Sequence, residues 1–221
     1  VEFSIYKVMD LNTNQDWLDA KAYYEAGAWD TTGKTPVQVV TTAGGGLATA
    51  SNLEALNELK ALPWRNLQAT SDPGIDGITG ERFADDTLLR NAACSGCPVG
   101  CIHIGFVREK FHKDNQYLYR QVGYDYEPIF ATGSMLGLTH APDVLTVMDE
   151  VEKAGLDVMS GGVALAWATE ALEKGVVTVE QTGTELRFGE VQGYIKAVHL
   201  LAGAASEFWK LLAAGTMVAA K

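Results

Sequence analysis

The stretch 91-NAACSGCPVGCIHIG-105 holds Cys94, Cys97 and Cys101, the only cysteines in the 221 residues. Three thiols cannot all pair internally, and spacings of two and three residues close strained loops, so a disulfide framework is not expected. Three buried core cysteines would pack as small hydrophobes, which leaves their clustering unexplained. Gly96, Pro98 and Gly100 make the segment a turn-rich loop rather than a packed face. Thiolates converging from a tight loop suit zinc or an iron–sulfur cluster. Zinc sites usually pair two Cys/His knuckles, and no second knuckle exists here. A Cys-x2-Cys-x3-Cys run with a remote fourth ligand fits a [4Fe–4S] cluster, whereas the radical-enzyme triad has the reverse order. The fourth ligand is expected from a cysteine beyond Lys221, with His103 and His112 as substitutes within the chain.

Around this loop most segments read as helix. "NTNQDWLDAKAYYEAGAW" has Asn14 as a cap, with Trp17, Ala20, Tyr24 and Ala28 to one side. "SNLEALNELKAL" sets Leu53, Leu56 and Leu59 at helical spacing, ended by Pro63. Asp72 to Gly80 is loop by composition, and a helix from about Glu81 to Asn91 should lead into the cysteines. "APDVLTVMDEVEKAG" puts Val144, Leu145, Val147, Met148 and Val151 on one face, with Gly155 as the stop. Further helices should start after Ser160, ending at Gly175, and carry Tyr194, Ile195, Val198 and Leu201. Only "VEFSIYKV" and the region Val176 to Phe188 look strand-like. The expected fold is mainly α and multihelical, in two helical subdomains: 1–138, with the cysteine loop, and 139–221.

The net charge of −11 argues against a nucleic-acid surface. No run of about twenty apolar residues spans a membrane. No signal peptide is present, so a cytoplasmic location is expected. Val1 is not a start, and the last residues stop inside a helical pattern, so a piece of a longer polypeptide is expected.

In chain order, "LRNAACSGCPVGC", "YEPIFATGSMLGL" and "EKAGLDVMSGGVALAWATEALEKG" resemble the aldehyde:ferredoxin oxidoreductase family of tungsten, sometimes molybdenum, pterin enzymes. "ALPWRNLQ" and "ASEFWKLLAAGTMVAAK" are also similar to it, and the match runs from about Thr35 to Lys221. The resemblance implies the family's second domain and the start of its third, in an oligomeric catalytic subunit. It implies that Cys94, Cys97 and Cys101 bind a [4Fe–4S] cluster, with the fourth cysteine far downstream. "EKAGLD" matches a pterin-binding motif of the form Asp-x-x-Gly-Leu-Asp/Cys through Gly155, Leu156 and Asp157, with Glu152 where Asp is usual. Tyr126-Glu127 matches the family's Tyr-Glu pair, whose glutamate sits beside the metal. A tungsten or molybdenum bis-pterin follows, and the resemblance admits a magnesium ion bridging the pterins.

Each match has a plain structural alternative. Gly155 and Leu156 can form an ordinary helix C-cap, and Glu127 a first-turn carboxylate before Pro128. One departure concerns assembly. An archaeal relative links subunits through iron held by Glu-x-x-His, yet "DVLTVMDEVEK" has no histidine, and Glu109-x-x-His112 lies elsewhere. Another is length: "VREKFHKDNQYLYRQVGYDY" is longer than the compact relatives have.

The resemblance implies an enzyme that oxidises aldehydes and passes electrons through the cluster to a ferredoxin or an iron–sulfur subunit. Arg108 to Arg120 holds four basic residues against two acidic ones, a candidate docking patch. Three alternatives stay open: a tungsten reductase such as benzoyl-CoA reductase, a non-catalytic iron–sulfur module, and a zinc-stabilised helical domain.

Overall fold

The computed structural model describes residues 2–5, 38–41, 48–93, 95–96, 100–112 and 116–221. The helix expected from Asn14, along with Cys94 and Cys97, lies outside the described residues. The chain divides into two compact units, Val1–Gly44 and Gly45–Lys221. In the first, the strand-like N-terminus forms β1 (Glu2–Ile5), antiparallel to β2 (Gln38–Thr41), with Glu2 opposite Thr41 and Ile5 opposite Gln38.

The second unit is mainly helical. Its core is organised on α4 (Ala141–Lys153), in which Val144, Leu145, Val147, Met148 and Val151 are fully buried, as the apolar spacing predicts. The helix stops in a Schellman turn: Leu156 N–H donates to Val151 O, Gly155 N–H to Glu152 O, and Gly155 is left-handed at φ 72°. Next comes α5 (Val158–Glu173). Its start lies before Ser160, because the carboxylate of Asp157 caps it by accepting from Ser160 N–H at 2.7 Å.

Earlier in the chain, α1 (Asn52–Glu58) buries Leu53. The segment 72–80 contains a short 3-10 turn, Pro73–Gly77, with Asp72 accepting from Gly74 N–H. The helix expected to reach Asn91 ends at Asp86 as α2 (Gly80–Asp86). From Leu88 the backbone bonds to a neighbouring strand instead, as β3 (Leu88–Ala92). The strands β4 (Ile102–His112) and β5 (Gln116–Tyr124) form a long hairpin, and the sheet order is β3-β4-β5, all antiparallel. The distinctive stretch after the cysteines therefore builds a sheet inside a mainly α unit. After it comes α3 (Tyr126–Thr132).

The region Val176 to Phe188 is not a strand. It contains α6 (Val179–Thr182), where Gln181 Oε1 accepts from Thr178 N–H at 2.9 Å and Gly183 closes the turn left-handed. Side chains satisfy its carbonyls: Trp209 Nε1 donates to Thr182 O at 2.8 Å and Lys196 Nζ to Gly183 O at 2.8 Å. α7 (Val191–Ala202) buries Tyr194, Val198 and Leu201 but leaves Ile195 partly exposed. α8 (Glu207–Ala213) and α9 (Thr216–Ala219) complete the unit. The phenol of Tyr194 donates to Leu136 O at 3.1 Å, so core residues on both sides of position 138 join in one cluster.

Candidate functional site

The cysteine loop hangs between β3 and β4. Ala92 pairs with Ile102, which clamps its two ends together. Gly96 and Gly100 are left-handed, at φ 74° and 64°, a conformation glycine adopts without a Cβ clash. A Cβ on Gly96 would meet none of the described atoms within 4 Å. Asn91 Nδ2 donates to Gly100 O at 3.3 Å, and Cys101 is a partly buried free thiol.

Sheet pairing carries this loop to the Tyr-Glu motif. His103, two residues past Cys101, is opposite Tyr124, and α3 then begins at Tyr126. The rings of His103 and Tyr124 stack at 5.0 Å. Both are buried, and neither ring nitrogen of His103 nor the phenol of Tyr124 has a hydrogen bond of good geometry. Burial lowers the His103 pKa, and burial pushes the Tyr124 phenol up to about 12. His103, one substitute considered for the fourth cluster ligand, thus faces the core side of the sheet.

At the next junction Glu127 is exposed in the first turn of α3, and Tyr126 is half-buried with its ring 5.3 Å from Phe130. Tyr126 N–H donates to Thr49 Oγ1 at 3.3 Å, which fixes the helix start. Burial and the adjacent Glu127 charge raise the Tyr126 pKa, so its phenol stays a proton donor at neutral pH. The junction also holds the half-buried carboxylate of Asp125, which the sequence pattern did not single out. Its Oδ1 is buried without a partner. Burial first and the Glu127 charge second raise its pKa, against a lowering by the Glu127 backbone N–H. The signal was available: an acid between two aromatic residues at a strand-to-helix turn.

α3 in turn packs directly on α5, whose N-terminus is the Gly155–Asp157 turn. A Cβ on Gly162 would lie 2.3 Å from Ala131 O, so the helices touch backbone to backbone. At the turn, Asp157 is exposed, and hydrogen bonds from Ser160, backbone first, hold its carboxyl below the usual range. Glu152 and Gly155 are exposed and Leu156 is half-buried. A Cβ on Gly155 would meet nothing within 4 Å. A cavity of about 350 Å³ opens beside Leu156, Asp157, Ser160 and Gly161, lined also by Leu212 and Thr216. The turn is thus both an ordinary helix stop and the rim of a cavity.

Among the described residues no group of three or more His, Cys, Asp or Glu side chains could hold a metal ion. No helix among them is long and apolar enough to cross a membrane. Arg120, counted in the basic stretch, donates from Nη1 to Asp149 and to Glu150, both at 2.8 Å. It therefore serves an internal network with Lys153 and His199, not an exposed patch.

Comparison with known proteins finds the following relatives. The family model "Aldehyde ferredoxin oxidoreductase, domains 2 & 3" matches residues 38–221. The tungsten-containing aldehyde ferredoxin oxidoreductase of Pyrococcus abyssi is 29% identical over 167 residues, 72% of this chain and 26% of that protein. That of Pyrococcus furiosus is 31% identical over 144 residues, 64% of this chain and 22% of its own. The aliphatic sulfonate oxidoreductase, WOR-like subunit, of the same organism is 31% identical over 125 residues, 57% of this chain and 19% of that protein. Among solved structures, the active-site complex BamBC of benzoyl coenzyme A reductase with 1,5-dienoyl-CoA shares the fold at TM-score 0.56 and 15% identity, over 92% of this chain and 29% of that one. The chain spans about a quarter of the length of the curated relatives it matches.

Proposed function

The chain belongs to the aldehyde ferredoxin oxidoreductase family, and from that premise we propose that it is the central part of a tungsten- or molybdenum-pterin catalytic subunit that oxidises aldehydes to carboxylic acids. The observation that supports this reading is that the elements bearing the three motifs touch one another in sequence. The β4–β5 pairing sets Cys101 near Tyr126-Glu127, and the Gly162–Ala131 contact sets that helix on the one Asp157 begins.

The residues present fit the implied groups. The three thiols all fall in the one segment between the paired ends of β3 and β4, which suits a [4Fe–4S] cluster. The Gly155–Asp157 turn offers an exposed carboxylate at a cavity rim, suited to the N–H edge of a pterin. When bound, the metal–pterin centre supplies two-electron redox chemistry and the cluster a one-electron relay.

The chain's own residues do the rest. An aldehyde and water give a carboxylic acid, two protons and two electrons. Glu127, as carboxylate, accepts one of those protons as the new carbon–oxygen bond forms. The phenol of Tyr126 stays protonated and can donate to the substrate oxygen. Asp157 and Glu152 orient the pterin, and Cys94, Cys97 and Cys101 hold the outlet for electrons. These leave one at a time to a ferredoxin or an iron–sulfur subunit.

The test is Glu127→Gln in the whole protein, purified without oxygen. Tungsten, pterin and about four irons per cluster should be retained while turnover falls roughly 10²-fold or more. Intact metals with near-normal turnover would reduce Glu127 to a first-turn helix residue. Zinc in place of iron would remove the cluster assignment. The reductive reading uses the same residues, supported by the fold match to the benzoyl-CoA reductase complex. Turnover with a reduced donor and an aromatic acyl-CoA, but not with aldehydes, would select it.

A further inference from the structure

The β3-β4-β5 sheet is oriented in an unusual way. Along β4 the inward positions His103, Gly105 and Val107 are buried against the helices. The outward positions are Ile102, Ile104, Phe106 and Arg108. The solvent side is thus at least as apolar as the core side, whereas a half-covered antiparallel sheet normally turns polar residues outward. Register adds Tyr119 and Tyr117 from β5 and Arg90 from β3 to the same face. Phe106 and Tyr119 stack at 5.5 Å, and the Arg108 guanidinium lies 4.5 Å over the ring of Tyr117. Tyr117 and Tyr119, near the start of the edge strand β5, are 43% and 48% exposed. These outward positions of the described strands include no carboxylate, although the chain carries 28 acidic residues against 17 basic ones. The face is largely apolar and aromatic, interrupted by Gln121 opposite Phe106, and carries Arg90 and Arg108.

Its location says what it would receive. β3 runs into the cysteine loop and β4 runs out of it, so the face borders that loop. A partner seated there stands over the strands that carry that loop. We propose that this sheet face is the docking surface for an acidic electron-carrier protein, whose redox group it brings up to the cluster. The proposal rests on the reading that Cys94, Cys97 and Cys101 hold a cluster. Charge complementarity selects the acidic partner: Arg90 and Arg108 meet its carboxylates while the aromatic strip is desolvated beneath it. The basic residues available differ from those of the sequence stretch, because Arg120 is spent on Asp149 and Glu150.

The experiment uses the whole protein, with an acidic bacterial two-cluster ferredoxin as the docking probe and benzyl viologen as a small acceptor that needs no docking. Ferredoxin binding is measured by calorimetry at low and at physiological salt, for wild type, for the double variant Arg90→Glu/Arg108→Glu and for Tyr119→Ser. The expected result is wild-type binding that weakens as salt shortens the Debye length from ~30 to ~8 Å. The double variant should bind at least about tenfold more weakly, a typical scale for reversing interfacial charges, with viologen turnover unchanged. Tyr119→Ser should weaken binding without changing its salt dependence. Wild-type affinity in the variants, or no wild-type binding at low salt, overturns the proposal. So do variants that lose cofactors or change their oligomeric state, since the face is then covered by the rest of this polypeptide or by a second copy. Charge-dependent ferredoxin binding by a protein inactive toward aldehydes would leave the docking surface standing and remove the aldehyde reading instead.

Discussion

Gly162→Ala tests the contact that joins two of the three motifs. The added Cβ would lie 2.3 Å from Ala131 O and 2.6 Å from Ala131 C. An ordinary carbon–oxygen contact is about 3.3 Å, so α3 and α5 must part by roughly 1 Å. The obstacle is backbone and cannot rotate away, which puts the overpacking cost near the upper end, about 3 kcal/mol. Alanine returns about 1 kcal/mol in helix propensity. The net expectation is a loss of about 2 kcal/mol. The neighbouring Gly161→Ala is the internal control. There the nearest atom is Val151 Cγ1 at 3.1 Å, a side chain that can yield by a few tenths of an ångström. Propensity then prevails, and stability should stay level or rise. Thermal unfolding of both variants, followed by circular dichroism, should show Gly162→Ala several degrees lower and Gly161→Ala at or above wild type. If Glu127 is catalytic, a shift of α3 by about 1 Å should also cut turnover by up to about 10²-fold. Equal melting temperatures for the two variants would refute the close-contact reasoning.

Other consequences are equally direct. Because the Asp125 pKa is raised, its protonated form favours the fold, and that contribution is lost as pH rises from the ordinary carboxylate range through the native value. Asp125→Asn should therefore stabilise the protein at pH 7 and have little effect near pH 3.5, measured by denaturant titration at both. Arg120→Met leaves Asp149 and Glu150 at 10% and 13% side-chain exposure with only Lys153 and His199 beside them. It should cost about 2 kcal/mol, below the full ~3–5 for an uncompensated buried charge, and loosen the hairpin, read as faster amide exchange in β5. Asp157→Asn keeps the cap to Ser160 whereas Asp157→Ala removes it, so only the second should lower the melting temperature. If the carboxylate also binds pterin, both should lower pterin content.

The helices of the larger unit and their buried faces were legible in the sequence because their periodicity is local. Val144, Leu145, Val147, Met148 and Val151 repeat at helical spacing, and Gly155 marks the stop by its need for a positive φ. The cysteine loop was legible for the same reason, since spacing and glycine content are properties of the chain alone. The sheet was not. Its strands put Ile102, Ile104 and Phe106 outward and His103 and Gly105 inward, which erases the polar-out alternation that reveals a half-buried strand. Val176 to Phe188 misled in the opposite sense: its β-branched residues suggest a strand, but Trp209, Lys196 and Ser206 reach its carbonyls and none of the described strands pairs with it. The candidate residues could be named from sequence, while the contacts between the elements that carry them could not. The strand after Cys101 meets the strand before Glu127 through the long-range pairing of His103 with Tyr124, and the helix that Glu127 begins packs on the helix that Asp157 caps because Gly162 lacks a Cβ. Sequence alone determined which chemical groups the chain carries and where its helices turn; close packing of distant segments decided which elements carrying those groups touch and which face of the sheet turns away from the helices.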